Sequence, residues 1–320
     1  MPTLLLGRDA VKTLMRMSEV INAVEDAFKM YGEGRASMPT KTYLSLECGD
    51  FRAMPAAMPG CAGLKWVNVH PQNPSLGLPT VMAVLVYSDP ETGYPLAIMD
   101  ATEITAYRTG AAAAIASGHL ARRDAHTIGI IGAGYQARTQ ILAHAEFFSP
   151  ISIKAFDVSK VAVDRLISSL PQFSITSCSI EEAVASDIVC TLTPSRKPIV
   201  KKEWIVAGSH INAIGADAPG KQELDPEILK EAVVVVDDLK QASSSGEINV
   251  PIQKGAYSIH EVYATLAEIV SGKKQGRTDS KAITVFDSTG VAVTDIAVAK
   301  LLFEKAQQMG GYQSIDLIGA

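Results

Sequence analysis

Gly132-Ala133-Gly134-Tyr135-Gln136-Ala137 has the residue types and spacing to hold a phosphate group. It follows the apolar run His126–Ile131 and opens a helical pattern, and Asp157 ends the next apolar run, Ser152–Phe156. Gly132 allows the tight turn, Gly134 lets the backbone approach a pyrophosphate, and Ala137 lets the helix pack near the strand. The helix N-terminus then presents its positive end to the phosphates. A carboxylate at 157 accepts hydrogen bonds from ribose hydroxyls and repels a 2′-phosphate, so the cofactor expected is NAD rather than NADP. A glycine turn alone is a weak signal; strand, helix and acid in this order make it a dinucleotide fingerprint.

Other segments add chemistry. Thr191-Leu192-Thr193-Pro194 and Ala213-Ile214-Gly215-Ala216-Asp217 end two further apolar runs. Ligands of open α/β sheets bind beyond the carboxyl ends of strands, and small residues and hydroxyls there suit a nicotinamide ribose as well as a plain turn. Lys65 lies in the apolar run Gly63–Asn68, where it is either an edge-strand charge or a functional amine. Arg52 and Arg108 carry guanidinium groups that bind carboxylates bidentately, or serve as surface charges. Asp217 precedes Ala-Pro-Gly-Lys and reads either as a general base near the nicotinamide or as a turn residue.

The elements that must position these groups form two patterns. A helix is expected at 9–32, where Leu14, Met15, Val20, Ile21, Val24 and Phe28 keep near-helical spacing. Short β-rich runs at 42–46, 63–69, 80–88 and 95–100, separated by Pro/Gly/Asn turns, predict an antiparallel sheet. Ser88–Gly93 reads as a hairpin turn. An Ala-rich helix at 102–121 leads into the glycine turn. Strands at 126–131, 151–156, 187–193, 209–215, 233–238 and 283–287 then alternate with helices at 135–148, 159–170, 180–186, 225–231, 260–272 and 291–309. Alternation of this kind predicts a doubly wound parallel sheet. Ser243–Gly246 and 272–280 read as loops. The fold class expected is α/β: a Rossmann-type domain at 121–304, plus an α+β domain at 1–120 rejoined by 305–320.

The bulk numbers exclude other classes. A net charge of −5 on 320 residues argues against nucleic acid or an anionic membrane as partner. No apolar run reaches membrane-spanning length, and no secretory leader is evident, so a cytoplasmic protein is expected. The four cysteines form no C-x-x-C pair and no His cluster joins them, so neither a metal site nor a disulfide framework is expected.

Taken in order, Gly63–Pro71, Arg108-Thr109-Gly110-Ala111, Gly132–Ala137, His210–Lys221 and Phe286–Gly290 resemble the ornithine cyclodeaminase/mu-crystallin family, and within it the archaeal alanine dehydrogenase branch. The resemblance covers nearly the whole chain. It implies that Lys65 is the active-site acid/base near the substrate α-carbon, that Asp217 is the catalytic aspartate, and that Arg108 touches the substrate carboxylate and the cofactor phosphates. It also implies cofactor contacts at Thr80, Tyr135, Gln136, Asp157, Thr193, Ala213, Ile214, Gly215, Ala216, Lys221 and Ser288, and a homodimer joined through the first domain. The cyclodeaminases carry an acid where this chain has Arg52. A guanidinium there suits a small 2-oxo acid and disfavours a second substrate ammonium. The activity expected is NAD-dependent oxidative deamination of L-alanine to pyruvate and ammonia, and its reverse. The alternatives are ornithine cyclisation, cyclic imine reduction, and nucleotide binding without turnover.

Overall fold

A computed structural model describes residues 2–149 and 151–319. Packing divides the chain into two units, Met1–Arg108 with Val291–Ala320, and Thr109–Gly290. The sequence pattern sets the boundaries at 120 and 305. The contacts set them at 108 and 290, because the last long helix packs on elements of the first unit.

The first unit contains β1 (Thr3–Leu6), α1 (Arg8–Leu14), α2 (Met17–Gly32), β2 (Thr42–Leu46), β3 (Gly49–Met58), β4 (Cys61–Val69), β5 (Val81–Ser88), β6 (Pro95–Asp100) and the start of α3 (Thr102–Leu120). The second runs through β7 (Thr127–Ile131), α4 (Tyr135–His144), β8 (Ser152–Phe156), α5 (Lys160–Ser169), β9 (Ile175–Ser177), α6 (Ile180–Val184), β10 (Ile188–Thr191) and β11 (His210–Ala213). It continues through α7 (Pro226–Glu231), β12 (Val233–Val236), α8 (Leu239–Ser245), α9 (Asn249–Gln253), β13 (Ala264–Thr265), α10 (Leu266–Val270) and β14 (Thr284–Asp287). The chain then returns to the first unit with α11 (Ala292–Met309) and β15 (Ser314–Ile315).

The first sheet has the order β15-β1-β6-β5-β4-β3-β2. β2 to β6 are antiparallel neighbours as expected, while β1 joins β6 in parallel. Period-2 alternation gives the sheet one buried face. β3 buries Arg52, Met54, Ala56 and Met58, and β4 buries Lys65 and Val67 while Leu64 and Trp66 stay exposed. α2 and α11 contribute the other half of this core. α2 buries Val20, Ile21, Val24, Ala27 and Phe28 on one stripe. A fully buried side chain of the Val or Phe kind contributes roughly 1.5–3 kcal/mol.

The second sheet is parallel throughout, in the order β13-β12-β14-β11-β10-β7-β8-β9. Its central strands β7, β10, β11, β12 and β14 are buried on both faces. Ile128, Ile130, Ile188 and Cys190 pack with Ala137, Ile141, Val163 and Leu166 of α4 and α5. Ile131 and Val189 pack on the opposite side with Ala183, Ile228, Leu229 and Ala242 of α6, α7 and α8. This is the doubly wound arrangement that the alternation predicts.

Several elements differ from the sequence reading. The helix expected at 9–32 is two helices, because Met15 and Arg16 are extended and the Arg16 guanidinium caps the carbonyls of Thr13 and Met15. β3, the longest strand, was not expected; Pro55 interrupts its pattern. β1, β9, β13 and β15 and helix α9 were also not expected. The supposed loop at 243–246 overlaps α8, whose N-cap Asp238 accepts from the Gln241 N–H. The helix expected at 260–272 is a short 3-10 turn, a two-residue strand and α10. The hairpin at 88–93 is present, with Gly93 at φ 76°.

A buried polar chain crosses the second core. His144 Nδ1 donates to the Gln140 carbonyl at 2.8 Å, and Nε2 lies 2.9 Å from Ser117 Oγ. Asn212 donates to Ser117 Oγ at 2.9 Å, and His210 bonds both Asn212 Oδ1 and Thr284 Oγ1. Burial pushes His144 down to about 4 and His210 to about 3. Both are neutral when folded, whereas an unfolded histidine takes up a proton near pH 6.5. Their contribution is complete above that value and is lost as pH falls towards 4, by ~3 kcal/mol for His144. His144→Asn will therefore be destabilised at pH 7, and its deficit relative to wild type will shrink as pH falls to 4. Urea unfolding across this range checks it; a deficit independent of pH would contradict a neutral buried His144.

Candidate active site

In the first unit, the inner face of the sheet gathers the predicted charges. Lys65 on β4 is 1% exposed. Its Nζ donates to Asp295 Oδ2 at 2.7 Å and to Thr105 Oγ1 at 3.3 Å. Arg108 Nε donates to the other oxygen, Asp295 Oδ1, at 3.0 Å. One buried carboxylate thus bridges an amine and a guanidinium. Local structure makes this possible. Thr105 and Arg108 are three apart on α3 and share a helix face. Asp295 lies in the first turn of α11, where a carboxylate meets the positive end of the helix. Gly63 lets α11 come close to β4: a Cβ there would sit 2.8 Å from Ile296 Cδ1 and 2.6 Å from the Val86 carbonyl.

Desolvation lowers the Lys65 pKa to about 7, with Arg108 and Lys41 adding repulsion and Asp295 opposing them. An amine near neutrality can both take and give a proton at physiological pH. The edge-strand reading of Lys65 does not hold: β4 lies between β3 and β5, and the side chain is buried in the core.

Arg52 shares the same face. In the β3–β4 register Met54 pairs with Lys65 and Arg52 with Val67, so Arg52 and Lys65 are diagonal neighbours. Arg52 Nε donates to Asp50 Oδ1 at 2.7 Å, and its guanidinium lies 5.2 Å from the Tyr43 ring centre. Lys41, also buried, adds a fourth cation, 5.8 Å from the same ring. Thr80, expected to touch the cofactor, lies just before β5, and its carbonyl accepts from the His70 N–H at 2.8 Å.

The second unit carries the remaining predicted positions. Gly132 has φ 102°, a conformation that favours glycine, and a Cβ on it would meet Leu192 and Thr193 at 3.1 Å. A Cβ on Gly134 would meet no protein atom within 4 Å. Gly134 is the N-cap of α4 and makes no side-chain cap bond. The cradle therefore has the room and the N–H donors that a pyrophosphate requires. Tyr135 and Gln136 form the first turn, and Ala137 is fully buried. Asp157, beyond β8, accepts from the N–H of Ala133 and of Ser159, both at 2.8 Å, which ties the acid to the glycine turn. These residues fit a dinucleotide.

The loops beyond β10, β11 and β14 are held by buried acids that the sequence reading missed. Glu223 accepts from Thr191 Oγ1, from the N–H and Oγ1 of Thr193, and from the Gly215 N–H, at 2.7 to 2.9 Å. Gly215 has no room for a side chain, since a Cβ would lie 2.2 Å from the Thr193 carbonyl. Glu247 accepts from the N–H groups of Glu223 and Leu224. Burial pushes both Glu223 and Glu247 up. Asp287 accepts from Glu247 and Ile248, and Asp237 from Thr289 and Gly290. Ala213, Ile214 and Ala216 are buried on this frame, and the Ser288 N–H donates to the Ala213 carbonyl. Asp217 is ion-paired with Lys221 at 2.6 Å, and Lys221 also reaches the Gly215 carbonyl.

The structure therefore groups Arg52, Lys65 and Arg108 in one unit, and Asp157, Thr193, Asp217, Lys221 and Ser288 with the glycine turn in the other. Reading the sequence missed Asp295, Asp50, Lys41 and Glu223. A signal for Asp295 existed: it is the only acid in the apolar stretch between Gly290 and Lys300.

The chain is 52% identical over 308 residues to an alanine dehydrogenase of Archaeoglobus fulgidus, covering 96% of both chains. Its structure superposes with TM-score 0.97 on an archaeal alanine dehydrogenase dimer with bound NAD, at 50% identity, covering 99% of this chain and 100% of that one. It superposes with TM-score 0.93 on the Thermococcus litoralis Δ1-pyrroline-2-carboxylate reductase in complex with NADH and L-proline, at 38% identity, covering 97% and 99%. The profile of the ornithine cyclodeaminase/mu-crystallin family matches residues 1–310, and the chain belongs to that family.

Proposed function

We propose that this protein is an NAD-dependent L-alanine dehydrogenase, interconverting L-alanine with pyruvate and ammonia. The observation that carries the reading is the buried Lys65 amine, bridged through Asp295 to Arg108 in a chain half identical to an alanine dehydrogenase. NAD, when bound in the second unit, supplies the hydride acceptor for the substrate α-carbon. The chain's own residues do the rest. Arg52 and Arg108 hold the substrate carboxylate through charge-assisted hydrogen bonds. Loss of hydride from the neutral-amine form of the substrate leaves a C=NH2+ bond, to which water adds. Neutral Lys65 takes the proton of that water. The resulting ammonium gives it to the nitrogen, the C–N bond breaks, and the hydroxyl proton passes to the departing ammonia as the carbonyl forms, so the products are pyruvate and ammonium and the lysine ends as it began. Asp217 helps to bind or activate the amine or the water.

Arg52 also bears on substrate choice. Arg52 is 5% exposed and its guanidinium is held by Asp50, so a fixed cation stands on the face that Lys65 shares. A second substrate ammonium, as in ornithine, is repelled there, and a small side chain is not. The preference for NAD over NADP rests on the Asp157 carboxylate.

No helix among the described residues is long and apolar enough to cross a membrane. The outward face of the first sheet exposes Leu44, Leu64, Trp66 and Val84, an apolar patch suited to a second copy of the chain. A homodimer joined through this face is expected. Light scattering should give twice the chain mass for wild type and a shift to monomer for Trp66→Glu; a monomeric wild type would sink the assembly.

Purified protein supplied with L-alanine and NAD should accumulate NADH, and Lys65→Ala should lower kcat by at least ~10²-fold. Proline formed from ornithine without net NADH, or a cyclic imine reduced while alanine is ignored, would replace this reading with one of its alternatives. Most activity surviving in Lys65→Ala would remove the lysine from the mechanism.

A further inference from the structure

Asp295 is 0% exposed and bonds through both oxygens to two different cations. Such a carboxylate is more than a counter-ion. Lys65 is fully desolvated among Met54 and Leu85, its register partners on β3 and β5. The charged groups that face it are Asp295 from α11, Arg108 from α3 and Lys41 from the segment before β2, with Arg52 diagonal to it on β3. Among these, Asp295 is the only anion. The carboxylate also fixes Arg108 by its Nε, which orients the planar guanidinium.

We propose that Asp295 is a positioning residue whose carboxylate yokes the Lys65 amine to the Arg108 guanidinium, so that the charge state of the proton-handling group and the orientation of the carboxylate-binding group are set together. This rests on the reading of Lys65 as the acid/base. The physical reason is competition for one carboxylate. Whatever strengthens the hold of Arg108 on Asp295 weakens the hold of Asp295 on the protonated amine, and a substrate carboxylate that draws Arg108 towards itself returns Asp295 to Lys65. Substrate binding then raises the proton affinity of the neutral amine, so that it takes the proton of the attacking water more readily and holds it until the nitrogen departs.

The test uses the full chain with lysines labelled with 13C at Cε, whose shift follows amine ionisation. The Lys65 signal is the one missing from Lys65→Arg. In wild type it should titrate near pH 7. In Asp295→Asn the midpoint should fall by about one to three pH units. Arg108→Gln, which leaves Asp295 to Lys65 alone, should move it upward, and this variant carries the test if Asp295→Asn does not fold. A midpoint unmoved in the folded variant would overturn the proposal. The same preparations report separately on the functional reading. The pH dependence of kcat/KM for L-alanine should shift in step with the Cε midpoint in either variant. A Cε midpoint that moves while the rate profile stays fixed would leave the bridge standing and remove Lys65 as the acid/base.

Discussion

Taking the Lys65 charge out of water is the constraint around which the first unit is built. Burying an isolated ammonium costs several kcal/mol, and only a well-placed anion offsets that. Asp295 is that anion, and it is 230 residues away along the chain. The chain must therefore complete the whole second unit before its last helix returns to the first sheet. Gly63 opens the space for that helix, and the three-residue spacing on α3 sets Thr105 and Arg108 against the same pair. The result is an amine that is neither a permanent cation nor a permanently neutral group.

The second unit solves the converse problem. Glu223, Glu247, Asp287 and Asp237 are buried acids whose partners shown above are hydroxyls and backbone N–H groups. Each such bond fixes a loop at the end of a parallel strand. A flexible loop there would have to be ordered when a dinucleotide binds, at a cost in affinity. Holding the loops with internal acids removes part of that cost beforehand. It also explains why the small residues at 213–216 matter: Gly215 lies against Glu223 and Thr193 with no space for a side chain.

The parts of this design that follow local rules were legible in the sequence. The glycine turn, the Asp157 position and the alternating strands and helices all express period and backbone freedom, and the parallel sheet followed from them. β3 was hidden because Pro55 interrupts its pattern and Gly49 begins it, although it carries Arg52. The break at Met15 and Arg16 was hidden because the apolar spacing continues through it. The site was half legible. Lys65, Arg52 and Arg108 stood out as charges among apolar neighbours. Their partners did not, because Asp50 and Glu223 lie in polar runs where an acid reads as a surface residue. Asp295 matters through a contact that no local spacing records. Long-range pairing of buried charges is a tertiary property, and sequence period carries little of it.

The central claim is that amine chemistry at Lys65 serves hydride transfer from an amino-acid α-carbon. L-Alanine carrying deuterium at Cα, turned over with NAD and followed by mass spectrometry, tests it most directly. The account predicts one deuterium in NADH for each pyruvate formed. NADH without deuterium, or deuterium kept in a carbon product with no net NADH, would contradict it.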